Sequence, residues 1–127
     1  MPPTKWDRLE LDGSDGPKNR WFTVPSDEGW TQPVIMEWEL SGESWTDEHV
    51  HDEYAYVLEG TLFVESDGVT VEASAGEMIC VPGGSTGRYW APVYARMLGI
   101  YAPNPRGIPM KHAAFEKLAA EKGRPRA

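Results

Sequence analysis

Residues 33–40, PVIMEWEL, alternate apolar and polar side chains: Met36, Trp38 and Leu40 share one face, and Glu37 and Glu39 point the other way. A period of two is the signature of a strand with one buried face. Further short runs rich in aromatic and β-branched residues follow the same logic: RWFTV near the start, a strand around Trp45 to Val50, EYAYVL, TLFVE, VTVEA, EMICV and a final long VYARMLGIY. Thirteen glycines and eleven prolines punctuate the chain, and turns at Ser66-Asp67-Gly68 and Ala75-Gly76 separate neighbouring runs. Roughly eight strands at this spacing predict an all-β jelly roll. The end reads differently. Pro109 precedes MKHAAFEKLAAEK, where Phe115, Leu118 and Ala119 fall on one helical face and Gly123 follows as a stop. The pattern predicts a C-terminal helix over about residues 110–122, packed outside the barrel, with GRPRA as a tail.

At 127 residues the expectation is one domain with one core, the barrel occupying about residues 20–102. Charge changes the picture more than length does. The net charge is −8, and from Trp21 to Gly87 there is no Lys or Arg against fourteen acids. Such a field repels phosphate backbones and attracts cations, so nucleic acid is not expected as a partner and a metal ion is an admissible one. Most of these acids have an ordinary use as a solvated surface. The single cysteine, Cys80, excludes an intramolecular disulfide and is expected to be buried and inert in its strand. No segment is apolar enough for a signal peptide or a membrane span, so the expected location is the cytoplasm, with no membrane partner.

EYAYVLEG followed by GEMICVPGG resembles the two motifs of the cupin superfamily, over about residues 34–101. The first motif runs Glu, six residues, Gly, matched by Glu53 and Gly60. The second opens Gly, five residues, Pro-x-Gly, matched by Gly76, Pro82 and Gly84. Within that superfamily, DEYAYVLEG with PGGSTGRYWAPVYARMLGIYAPNP is most similar to the small ethanolamine-utilisation type. The resemblance implies a small β-barrel, a homodimer, and a site inside the barrel for a small organic molecule.

In metal-binding cupins the ligands are two histidines two apart, a glutamate three or four residues later, and a histidine in the second motif. Here His49-x-His51 is present, but only Asp52 separates His51 from Glu53. One residue cannot turn a chain between neighbouring strands. Counted back from Glu53 across three residues, His49 takes the second-histidine place and Asp47 the first, with His51 on the connecting turn. A continuous strand would instead carry Asp47, His49, His51 and Glu53 on one face. Both registers remain open at this point. Three residues beyond Gly84, where the resemblance expects the third histidine, stands Gly87, which offers no ligand. The candidate metal set is therefore His49, Glu53 and either His51 or Asp47, a nitrogen and oxygen set suited to Fe(II), Mn(II), Ni(II) or Zn(II).

His49 and Glu53 are also the candidate catalytic pair, because nearby carboxylates favour an imidazolium able to act as a general acid. The bland alternative for His49 is a histidine at the barrel mouth bonded to an acid. Trp38, Arg88 and Tyr89 are the candidate substrate-binding residues, Arg88 as a clamp for a carboxylate or a partner for Glu53. Arg96 reads as an inter-strand ion pair, and His112 as a surface residue of the helix. The phosphate-binding loop, the dinucleotide fingerprint and the G-x-S-x-G elbow are all missing. Three function classes follow: an enzyme with isomerase, lyase or oxygenase chemistry on a small molecule, a binding module without chemistry, and an assembly protein.

Overall fold

The computed structural model describes residues 1–119, and among these every regular element is a strand. The strands are β1 (Lys18–Trp21), β2 (Val34–Leu40), β3 (Glu43–Glu48), β4 (Glu53–Ser66), β5 (Val69–Ser74), β6 (Met78–Val81), β7 (Thr86–Ala91), β8 (Ala95–Tyr101) and β9 (Lys111–Lys117). They form one curled antiparallel sheet in the order β1-β2-β8-β4-β7-β3-β9, with β5 and β6 added along β4.

The curl is built at β4, which is fourteen residues long. Its first half pairs with β6 and β8, and its second half with β5 and β7. The crossing point is Gly60, where φ is 75° and an added Cβ would lie 2.1 Å from the Tyr94 carbonyl oxygen. Only glycine fits both the positive φ and the close approach. The ladder to β8 is irregular just before it, between Val57 and Glu59, a bulge of the kind that bends a sheet into a barrel wall. EYAYVL and TLFVE, two strands by pattern, are thus one strand passing from one wall to the other.

Between the walls lies the core: Met36, Trp38 and Leu40 from β2, Ala55, Val57, Leu62 and Val64 from β4, Val81 from β6, Tyr89 and Ala91 from β7, and Ala95 and Met97 from β8. Glu53, Ala55 and Val57 alternate with Tyr54 and Tyr56, so Glu53 faces inward with the core residues. Among the described residues no helix is long and apolar enough to cross a membrane.

The expected C-terminal helix is not formed. Residues 111–117 are β9, paired antiparallel to β3 with Phe115 opposite Trp45, and the Leu118 amide bonds to the Gly42 carbonyl at 2.9 Å. The last positions of the expected helix, 120–122, and Gly123 lie outside the described residues. Local helix preference here is overridden by tertiary pairing: without β9, β3 would end the sheet with its outer N–H and C=O groups unpaired. Phe115 packs partly against the core, and His112, at φ 57° and exposed, is a strand residue 3.9 Å from Glu48. The strand count is nine rather than about eight: two runs merge in β4, while β7 and β9 are added.

Cys80 is exposed, contrary to expectation. In β6 the alternation turns Ile79 and Val81 toward the core, which leaves Cys80 outward, opposite Tyr54 of β4.

A triad at the end of an aromatic cavity

β3 ends at Glu48 and β4 begins at Glu53, so residues 49–52 are a connection and the hairpin register is the one adopted. The second motif locks that connection from below. The Gly84 amide donates to the His49 carbonyl at 2.7 Å, and the Gly83 amide to Asp52 Oδ1 at 2.8 Å. An added Cβ on Gly83 would lie 2.4 Å from the Val50 carbonyl oxygen, so the backbones touch only because residue 83 has no side chain.

The result is a triad of Asp47, His49 and Glu53, whose potential ligand atoms all lie within 4.8 Å of one another. His49 Nε2 is 2.9 Å from Asp47 Oδ2 and 3.2 Å from Glu53 Oε1. The imidazole N–H is directed at Asp47, so Glu53 Oε1 is at ion-pair distance yet without an aligned hydrogen bond, buried and unpartnered. Asp47 Oδ2 also accepts from Trp45 Nε1 at 2.7 Å. That donor was not among the sequence candidates; Trp45 and Asp47 stand two apart on β3, the spacing that shares a strand face.

Burial works against charge on His49, but the hydrogen bond to Asp47 and the charges of Glu53 and Asp47 outweigh it and hold its pKa at about 9. Burial raises the Glu53 carboxyl above its ordinary value, His49 opposes that shift, and Asp47 adds to it. Burial, helped by Glu53 and Asp47, pushes the Tyr89 hydroxyl well above the usual phenol range, so it stays protonated. The direction of linkage for His49 is clear. A raised folded-state pKa contributes stability that is fully present below 6.5 and is lost as pH rises through about 9. Histidine-ring NMR of the metal-free protein should therefore show His49 titrating near 9. A His49 midpoint at 6.5 would mean that the triad is not formed in solution.

His51 is not in the triad, though it is not remote from it. Its ring centroid is 4.4 Å from that of His49 and 5.0 Å from that of Tyr101. Its Nδ1 faces the Asp52 carbonyl at 2.9 Å, and its buried Nε2 has no partner. Burial lowers its pKa, against the Asp52 carbonyl and together with the charge on His49, which keeps the ring neutral. It packs the back of His49 rather than extending the ligand set.

Gly87 lies opposite Asp47 on β7. An added Cβ there would lie 3.1 Å from Tyr89 Cε1 and 3.1 Å from Val81 Cγ2. The space that a third histidine would need is thus already filled by a tyrosine ring and a valine. Tyr89 is buried, its hydroxyl lacks a partner, and with Glu53 and Asp47 it lines a small recess behind the triad. Trp38 packs edge-to-face on Tyr89 and lines the main cavity. Arg88 is placed otherwise than the sequence reading had it: it faces outward, with its guanidinium 4.6 Å from the centre of the Trp90 ring, and does not line the cavity. Strand alternation accounts for this, since Gly87 and Tyr89 are the inward positions of β7.

The cavity in front of the triad has a volume of about 690 Å³ and is lined by His49, Glu53, Trp38 and residues from the β1–β2 and β8–β9 connections. Trp30 and Tyr101, also in this lining, were absent from the sequence candidates. Tyr101 was recoverable, because Ala95, Met97 and Gly99 precede it at the inward parity of β8.

Two donors at right angles, each about 2.1 Å from an ion, are about 3 Å apart. The spacings of 2.9 and 3.2 Å about His49 Nε2 match that figure, and Glu53 Oε1 carries an unused buried acceptor. The donor set fits a divalent cation held by three protein ligands with its remaining positions open.

Comparison with known proteins places the chain among relatives. The family described as ethanolamine utilisation protein EutQ matches residues 7–105. The "Acetate kinase EutQ" of Clostridioides difficile (strain 630) is 43% identical over 53 residues, which are 42% of this chain and 34% of that protein. The chain thus spans about a third of the length of that curated relative. The solved structure of the Clostridium difficile EutQ protein superposes with a TM-score of 0.60 at 25% identity, covering 77% of each chain. A cupin-like protein from Thermotoga maritima superposes with a TM-score of 0.67 at 14% identity, covering 86% of this chain and 87% of that one, a likeness of fold.

Proposed function

The chain belongs to the ethanolamine utilisation protein EutQ family, of cupin fold, and from that membership and the geometry of the triad we propose that it is a small-molecule enzyme whose site is Asp47, His49 and Glu53. One observation carries the reading: three donor atoms converge at the inner end of a cavity of about 690 Å³, with Glu53 Oε1 buried and unpartnered. Side chains that only stabilised the barrel would be expected to satisfy one another.

A divalent ion held by Asp47 Oδ2, His49 Nε2 and Glu53 Oε1 would supply Lewis acidity or an activated water at its open positions. Trp45 would orient the Asp47 carboxylate by its indole N–H, and the buried ring of His51 would fix the His49 imidazole. Without an ion, His49 keeps its proton on Nε2 toward Asp47, and His49 and Glu53 form an acid–base pair facing the cavity. Tyr89 keeps its proton and offers a hydroxyl beside Glu53. Isomerase, lyase or oxygenase chemistry on a small organic molecule is compatible with this arrangement.

The curated relative bears the name of an acetate kinase. Phosphoryl transfer relies on cations gathered around nucleotide phosphates. Among the described residues no Lys or Arg lines this cavity, while Asp15, Asp27 and Glu53 do, so a nucleotide is disfavoured as its occupant.

Elemental analysis of protein purified without chelator and dialysed against Fe(II), Mn(II), Ni(II) or Zn(II) tests the metal reading. About one ion per chain is expected. Retention of none of the four would sink it and leave an acid–base or binding cavity.

A further inference from the structure

The walls of the cavity define a ligand class. Four tryptophans line it, Trp21 from β1, Trp30 from the β1–β2 connection, Trp38 from β2 and Trp45 from β3, and Tyr101 of β8 completes the aromatic lining. Among the described residues, the charged side chains of the lining are Asp15, Asp27, Glu53 and His49. His49 is the one cation among them, and it is held between Asp47 and Glu53. Two of the nearer arginines, Arg20 and Arg96, are engaged by Glu37 on the outer face of the sheet. Deep in the cavity, Glu53 is 4% exposed and its Oε1 has no hydrogen-bond partner.

Each of these features selects on charge. Indole and phenol faces carry the negative pole of the ring quadrupole and attract cations, most strongly where water is excluded. Carboxylates at the rim and at the floor repel an anion and favour a cation. A neutral ligand of the same shape would gain only contact area. The volume falls in the ordinary range for a bound small organic molecule and is far larger than an isolated ammonium group needs.

We infer that the cavity recognises an organic cation: an alkylated ammonium carried on an aliphatic or aromatic body, its charge set among the tryptophans. This inference rests on the reading of the cavity as the substrate site and names the substrate class of that site. The ammonium would sit on the aromatic wall while its body reaches toward the triad, with Asp15 and Asp27 guiding entry from solvent.

The test is calorimetric binding of three probes of similar size at pH 7: benzyltrimethylammonium, benzyl alcohol and benzoate. The cation is expected to bind at least tenfold more tightly than benzyl alcohol, with benzoate weakest. Trp21→Leu and Asp27→Asn, at half-exposed or exposed positions of the mouth, are each expected to weaken the cation several-fold and to change benzyl alcohol less. Circular dichroism and thermal melting establish that both variants fold. Benzyl alcohol or benzoate binding as tightly as the cation, or no probe binding, overturns the inference. So does an unchanged cation affinity in both variants. The metal titration, run in parallel, separates this idea from the preceding one. Ion retention without cation preference removes the substrate class alone, whereas cation preference without ion retention removes the metal site alone.

Discussion

His49→Ala is expected to abolish retention of Fe(II), Mn(II), Ni(II) and Zn(II), Asp47→Ala to do the same, and His51→Ala to leave the ion in place. The spread follows from ligand count. His49 Nε2 lies between Asp47 Oδ2 at 2.9 Å and Glu53 Oε1 at 3.2 Å, and among the described residues no fourth side chain joins these atoms in the triad. Losing an outer-shell partner of a metal site typically costs 10–100-fold in affinity, so losing one of three direct ligands should cost at least about 100-fold. Trp45→Phe, which removes the indole donor to Asp47, should cost about 10–100-fold and so fall between wild type and the ligand variants. His51 has its Nδ1 committed to the Asp52 carbonyl and stands outside the triad. Metal content per folded chain, with folding checked by circular dichroism, gives the comparison. Loss of the ion in His51→Ala with retention in Asp47→Ala would restore the continuous-strand register and contradict the site described above.

Arg96→Ala is expected to destabilise the fold by up to about 3–5 kcal/mol, the cost of taking one of its two arginines from a buried carboxylate. Glu37 lies on the outer face of β2, yet it is 4% exposed. Arg20 Nε holds one carboxylate oxygen at 2.9 Å and Arg96 Nε the other. The two guanidinium groups reach on to the carbonyls of Asp7 and Leu9 at 2.7 and 2.8 Å. Removing Arg96 thus loosens both a buried carboxylate and the segment above it. Replacing Glu37 and Arg96 together by leucine should cost less than Arg96→Ala alone, because no carboxylate then stays buried with a partner removed, and Arg20, less buried than Arg96, keeps the Asp7 carbonyl. Urea denaturation of the three proteins measures this. Burial works to raise the Glu37 carboxyl, but the hydrogen bonds and charges of Arg96 and Arg20 prevail and hold it below 4.5. Its contribution is therefore present above pH 4.5 and is lost as pH falls through the lowered value. A double variant less stable than Arg96→Ala would show that the pair stabilises beyond what apolar packing can replace.

The strands that build the barrel were legible wherever one face alone is buried. β2 alternates because Met36, Trp38 and Leu40 face the core, and the spacing of Glu53 and Gly60 marks where β4 enters the barrel and where it bends. The sequence offered two registers, a continuous strand and a count back from Glu53 to His49 and Asp47, and the 49–52 connection adopts the second. What was hidden depends on distant neighbours. KHAAFEK carries helical preference and becomes a strand only because β3 offers a free edge. Burial of Arg96 depends on a segment some ninety residues earlier in the chain, through the Leu9 carbonyl. The outward direction of Arg88 follows from the parity of β7, a strand that the sequence pattern did not mark. Trp21, Trp30 and Tyr101 share one cavity only after β1, the β1–β2 connection and β8 are brought together by the sheet order.

The central claim, that Asp47, His49 and Glu53 form a divalent-cation site at the inner end of the aromatic cavity, is tested most directly by anomalous diffraction from crystals loaded with Zn(II) or Mn(II). The account predicts one strong anomalous peak within about 2.0–2.3 Å of Asp47 Oδ2, His49 Nε2 and Glu53 Oε1. A fully loaded crystal whose peak lies elsewhere, or no peak at the triad in either metal, would contradict it.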